Sequence, residues 1–155
     1  MSITRLSDIG VDSFPNREFR SPIVLLASGA QIADGVTADI QSAEIERASK
    51  LIFEQDVSAA SGTTPVLIVA IQYKIGNNYW SAVRWANATG VGKNNYGVDR
   101  NLATGLEFTV SADPVVGAGS NLIGAQFWGD TIRVKWTITG TTPSFTFAIN
   151  CYPIR

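Results

Sequence analysis

The chain predicts an all-β fold: an antiparallel β-sandwich, jelly-roll or Greek-key like, with an extended N-terminal arm. Three observations lead there. Ile132, Val134, Trp136 and Ile138 interleave with Arg133, Lys135, Thr137 and Thr139, and Phe145, Phe147, Ile149 and Cys151 with Ser144, Thr146, Ala148 and Asn150. A period of two sets one side of each strand against a core and leaves the other to solvent. No segment carries a sustained helical stripe, and the stretches between apolar runs are rich in Gly and Asn, which serve turns.

Taken in order, residues 1–22 mix three basic and three acidic residues with isolated apolar ones, and Pro15 and Pro22 punctuate them. This is read as an extended arm. Ile3, Leu6, Ile9, Val11, Phe14 and Phe19 would be its apolar pegs on a neighbouring subunit, because six large apolar residues are too many for a tail selected only to stay solvated. Residues 23–155 form the single sandwich domain. Ile23–Ser28 is a short apolar run, Gly29–Gly35 has turn chemistry, and Val36–Gln41 returns to strand. Ser42–Ser49 makes one helical turn or an irregular crossing, with Glu44, Glu46, Arg47 and Lys50 as a solvated face. Leu51–Ala59 alternates, Val66–Ile75 is β-branched, Gly76-Asn77-Asn78 is a turn signal, and Tyr79–Ala86 is an aromatic strand. Residues 87–101 read as loop, Leu102–Ser111 as a strand with Leu106, Phe108 and Val110 on one face, and 112–130 as irregular.

Composition subtracts functions. The 155 residues hold 12 Lys+Arg against 13 Asp+Glu, one Cys and no His. Without His there is no Ser-His or Cys-His nucleophile, no HExxH site and no Cys/His zinc site. A carboxylate-only mechanism is the main enzymatic route left, so the expectation is a non-enzyme without cofactors. Near-zero net charge with no basic block argues against nucleic acid as a partner. No apolar stretch approaches the roughly 20 residues a bilayer span needs, and no basic segment leads an apolar run as in a signal peptide.

The most specific internal feature is a repeat. Gly62-Thr63-Thr64-Pro65 recurs 78 positions later as Gly140-Thr141-Thr142-Pro143, each between strand-like runs. After each Pro the apolar pattern continues in step: Leu67, Val69 and Ile71 against Phe145, Phe147 and Ile149. Gly accepts positive φ, Pro fixes φ near −65°, and Thr hydroxyls satisfy backbone groups in a bend. The repeat is read as two hairpins of one design in pseudo-symmetric units.

The stretches LLAS (Leu25–Ser28), DVSAASGTTPVLIVAIQYK (Asp56–Lys74) and RVKWTITGTTPSFTFAI (Arg133–Ile149) resemble the small β-sandwich structural proteins of tailed bacteriophages, over roughly residues 23–152. The sequence departs from that pattern at Thr139–Gly140, with a single Gly, and in its Trp- and Asn-rich central loops. The resemblance implies a virion protein that decorates and cements the head from the outer capsid surface. Its partners would be the major capsid protein and itself, as a homotrimer, and the chain would be made in the host cytoplasm. A tail or baseplate component, or a carbohydrate-binding module, is the alternative.

Other constellations read as architecture. Glu54 and Asp56 share one face of a strand, but glycosidase acids sit across a cleft on different elements, so the pair is an exposed strand face. Gly90-Val91-Gly92-Lys93-Asn94 lacks the first Gly and the Ser/Thr of a phosphate loop and reads as flexible loop. Aromatics carry the functional alternative: Trp80, Tyr96 and Trp128, with Tyr79 and Trp85, lie in or beside Asn/Gly-rich stretches, as a sugar-stacking face would need. Alternation puts Tyr79 and Trp85 on one face and Trp80 on the other, and places Trp136 in the core.

Overall fold

The structure, a computed structural model, describes residues 21–99 and 128–155. The six arm pegs and the strand expected at Leu102–Ser111 lie outside the described residues. Within the described residues the all-β expectation is borne out, with seven strands hydrogen-bonded as one open antiparallel sheet.

Alternation dictates two long strands, β4 (Lys50–Ile75) and β7 (Thr131–Ile154). They run antiparallel along their whole length, from Lys50 opposite Ile154 to Tyr73 opposite Ile132. This corrects the hairpin reading. The two Gly-Thr-Thr-Pro segments do not turn a strand back on itself; each lies inside one continuous strand and faces the other. Residues before the β4 bend pair with residues after the β7 bend, and the reverse. The result is a two-stranded ribbon, bent once in the middle, with a pseudo-two-fold relation between its halves.

The bend is locked reciprocally. Gly62 has φ +109° and Gly140 φ +125°. A Cβ on Gly62 would lie 2.8 Å from the Thr142 carbonyl oxygen and 2.9 Å from Pro143 Cα; one on Gly140 would lie 2.9 Å from the Thr64 carbonyl oxygen and 3.0 Å from Pro65 Cα. Each backbone therefore occupies the space the other glycine vacates. Thr64 and Thr142 hold φ of 49° and 46°, a strained region for a β-branched residue. The hydroxyl of each donates to the preceding carbonyl at 2.8 Å.

The remaining elements flank this ribbon. Alongside the half made of residues 50–61 and 144–154 run β1 (Ile23–Gln31) and β6 (Gly92–Asp99). Alongside the half made of residues 66–75 and 131–139 run β2 (Gly35–Val36), β3 (Ile40–Gln41) and β5 (Asn78–Arg84). Strand β6 corrects the loop expected at 87–101. Its Lys, Asn and Gly residues give weak strand propensity, and only Tyr96 and Val98 mark an inward face; unbroken pairing with Lys50–Val57 overrides that. A five-residue helix, α1 (Ala43–Arg47), is capped by Ser42, whose hydroxyl accepts from Ile45 N–H at 3.3 Å. Its Ile45 is fully buried, so this crossing is a plug in the core and not only a solvated face.

One cluster of buried side chains draws on both halves: Leu51, Phe53, Val57, Phe147 and Ile149 from one, Leu67, Val69, Ile71, Ile132 and Val134 from the other. Trp136, core as expected, meets Phe147 edge-on with ring centroids 5.9 Å apart. The inward face of each half is therefore apolar apart from the fully buried Gln55 between Phe53 and Val57, and the outward faces are where chemistry differs.

Candidate functional site

Of the candidate aromatics, Trp128 and Tyr96 pack in or against the core. Trp128 is a core residue, 6% exposed, with its ring 6.4 Å from that of Tyr73 and its indole N–H donating to the Ile45 carbonyl at 2.8 Å. That corrects its reading as a ligand-facing aromatic: the loop composition around it hid a side chain pinned to α1. Tyr96 is half-buried on β6, opposite Phe53 and packed against the core. Trp80 pairs in register with Tyr73. Trp85 is buried, whereas Tyr79 faces outward. The two do not share a face, because the ladder shifts register between Ile71 and Gln72 and Ala82 becomes the extra residue.

What the fold does assemble are two polar patches, one on the outward face of each half. On the first, Gln72 pairs across the sheet with Arg133 on one side and Ser81 on the other. Gln72 is 3% exposed; its amide N–H donates to the Ser81 hydroxyl at 3.0 Å, and its carbonyl accepts from Arg133 Nε at 2.8 Å. The Arg133 guanidinium lies 3.3 Å from the Tyr79 ring centroid, a stacked cation–π contact. The Tyr79 hydroxyl donates to Asp39 at 2.6 Å, and Lys74 Nζ donates to the same carboxylate at 3.0 Å. These bonds, the tyrosine's first and the lysine's second, hold the Asp39 carboxyl below the usual carboxylate range. The bond to Asp39 raises the Lys74 ammonium.

On the second patch, Glu54 pairs across the sheet with Asn150. The Asn150 amide donates to Glu54 Oε1 at 3.1 Å, and the Tyr152 hydroxyl reaches the same oxygen at 3.5 Å. Asp56 bridges to Lys93 Nζ at 3.3 Å, and that bond raises the lysine.

The two patches occupy equivalent places. Gln72 and Asn150 each stand seven residues beyond the proline of their own bend, and their cross-strand partners are Arg133 and Glu54. Two residues nearer the bend the same relation joins Ala70 with Lys135 and Ala148 with Asp56. The spacing differs by one on the β4 side, where the ladder shifts between Val57 and Ala59. Equivalent outward positions thus hold Glu54 and Asp56 in one half, Arg133 and Lys135 in the other. The amide beside the charge farther from the bend is retained, as Asn or Gln.

Chemically these are ion-pairing and hydrogen-bonding groups. Arg133 offers its terminal guanidinium nitrogens and makes no ion pair among the described residues; Glu54 has one carboxylate oxygen engaged and no cation bridged to it there. Tyr79 carries a guanidinium on its ring, so it is not a bare stacking platform for a sugar. No group of three His, Cys, Asp or Glu converges as a metal site among the described residues. Cys151 is buried, and desolvation pushes its thiol up to about 12, so it is chemically quiet. Sequence reading missed Arg133 and took Glu54 for a plain exposed face; aligning the two repeats outward from their prolines was the signal that pairs them. No protein-family model, curated protein or solved structure matches this chain.

Proposed function

We propose that this chain is a structural protein of a tailed-phage virion, a decoration or cement protein that stabilises the head from its outer surface by bridging major capsid proteins, and that it acts as a homotrimer. One observation supports the reading above others. The Gly-Thr-Thr-Pro segments, which carry the resemblance to phage structural proteins, are the segments whose reciprocal packing holds the ribbon together. The motif is thus tied to the architecture of the whole domain and not to a loop. In this reading the two halves of the bent ribbon serve as the leaves of a sandwich, with the Trp136–Phe147 contact between them.

The mechanism is mechanical. The domain sits over junctions between capsid subunits, and residues 1–22 lie along a neighbour as an arm. That arm would leave from Ile23, on a strand at the margin of the described sheet, paired to β7 along one side. Many modest contacts add through multivalency, so opening the lattice requires several to break together. The test is co-sedimentation of purified protein with undecorated, expanded heads. Binding is expected, and deletion of residues 1–22 should weaken it while leaving the β-type circular dichroism intact. Protein that ignores heads and binds tails would replace the cement role with a tail or baseplate one.

A further inference from the structure

We propose that copies of this chain associate head to tail, the Arg133/Lys135 face of one copy docking on the Glu54/Asp56 face of the next, with Arg133 and Glu54 as the central ion pair.

The charges are complementary by position. Each half of the ribbon presents two like charges, spaced two residues apart on one strand, on an outward sheet face. One pair is basic and the other acidic; Asp56 is already bridged to Lys93 at 3.3 Å, so Arg133 and Glu54 carry the contact. Both central groups are oriented before any partner arrives. Arg133 is fixed by the buried Gln72 and by the Tyr79 ring, and Glu54 by Asn150 and Tyr152. Pre-orientation removes part of the ordering cost that makes ordinary surface ion pairs nearly worthless. Within one chain the two groups cannot serve each other, because they sit in different halves of the bent ribbon. Among the described residues neither is bridged to an opposite charge. The guanidinium fork and a free carboxylate oxygen suit each other geometrically.

A second copy is the occupant this pattern fits, since it brings a pre-oriented carboxylate to the pre-oriented guanidinium. The contact joins different surfaces, so it is heterologous and closes into a ring when the rotation between copies allows. The proposal rests on the trimer of the preceding section, which needs such an interface, but not on capsid binding. Near-neutral net charge keeps long-range repulsion between copies low.

The experiment is sedimentation velocity on the full chain, run without heads. Wild type should sediment as a trimer. Arg133→Glu alone and Glu54→Arg alone should each place like charges in the contact and weaken association by about tenfold or more. The double variant should recover the wild-type mass, and mixing the two single variants should restore association through contacts between unlike variants, which also shows that both are folded. A wild-type monomer or two-fold dimer, a single variant that stays trimeric, or a double variant that fails to recover overturns the proposal. If the charge swap behaves as expected and heads are ignored, the contact stands and only the capsid role falls.

Discussion

The two halves of the ribbon share a backbone and differ in what they show to solvent. Inward, equivalent positions hold Leu67 and Phe145, Val69 and Phe147, Ile71 and Ile149, all apolar and, apart from differences in size, interchangeable in role. Outward, the equivalents are Glu54 and Arg133, Asp56 and Lys135. The inner set is constrained by a core whose close packing penalises polar atoms and voids alike. The outer set makes polar contacts that either sign of charge can satisfy, Gln72 and Tyr79 around Arg133 and Asn150 and Tyr152 around Glu54, so charge inverts there with no change in the ladder. Recognition in this protein is therefore best sought where the halves disagree.

The comparison is tested most severely at the bends. Gly62→Ala and Gly140→Ala each force a Cβ into the facing backbone at positive φ, and each should cost roughly 3–5 kcal/mol in urea or guanidinium unfolding. Reciprocal packing predicts nearly equal losses, and the double variant should fall short of the sum because both damage one contact. A loss at only one glycine would break the pseudo-symmetry. Next come Ile71→Ala and Ile149→Ala, both fully buried, each expected to cost about 2–5 kcal/mol and to agree within about 1 kcal/mol.

The outward faces should then diverge. Gln72→Leu removes two hydrogen bonds made by a nearly fully buried amide, to Ser81 and to Arg133, at about 1–3 kcal/mol, whereas Asn150→Leu on the half-exposed partner face should cost under about 1 kcal/mol. Equal losses in the two would deny the difference in burial.

The smallest effect is a pH dependence. Asp39 is depressed below 3.8 when folded, so its contribution is complete above that value and lost as pH falls through the folded pKa. Lys74 is raised above 10.5, so its share is present below 10.5 and lost as pH rises past the folded value. Asp39→Asn should flatten both limbs of the plot of urea midpoint against pH, because it removes the tyrosine's acceptor and the lysine's partner together. Unchanged limbs would mean the network makes no difference between folded and unfolded chains.

Much of this was legible in the sequence. Alternation at Ile132–Thr139 and Phe145–Cys151 marked the halves of β7, and the repeated Gly-Thr-Thr-Pro marked both bends. What the repeat could not reveal is its partner. A Gly-Pro turn signal is local, while the facing of Gly62 by Thr142 and Pro143 is made 80 residues away. Strand β6 was hidden because its Lys, Asn and Gly residues carry little strand signal and only its pairing with β4 makes it one. Tyr79 and Trp85 were misassigned because a one-residue register shift reverses faces, and no local signal announced it. The patch around Arg133 was hidden for the same reason as its opposite at Glu54: both are ordinary charged residues until the register sets an amide beside each.

The strand order has a kinetic consequence. Strand β7 lies inside the sheet between β1 and β4, yet it is separated from them by 59 to 128 residues at the paired positions. A ribosome exposing this chain would release β4 with its central edge open and its bend unsupported, and neither Thr64 nor Gly62 would have a reason to hold its conformation. The molecule can only close once β7 arrives, so folding should be late, slow and all at once. Until then the apolar inner face of β4 stays unmatched and vulnerable to mispairing.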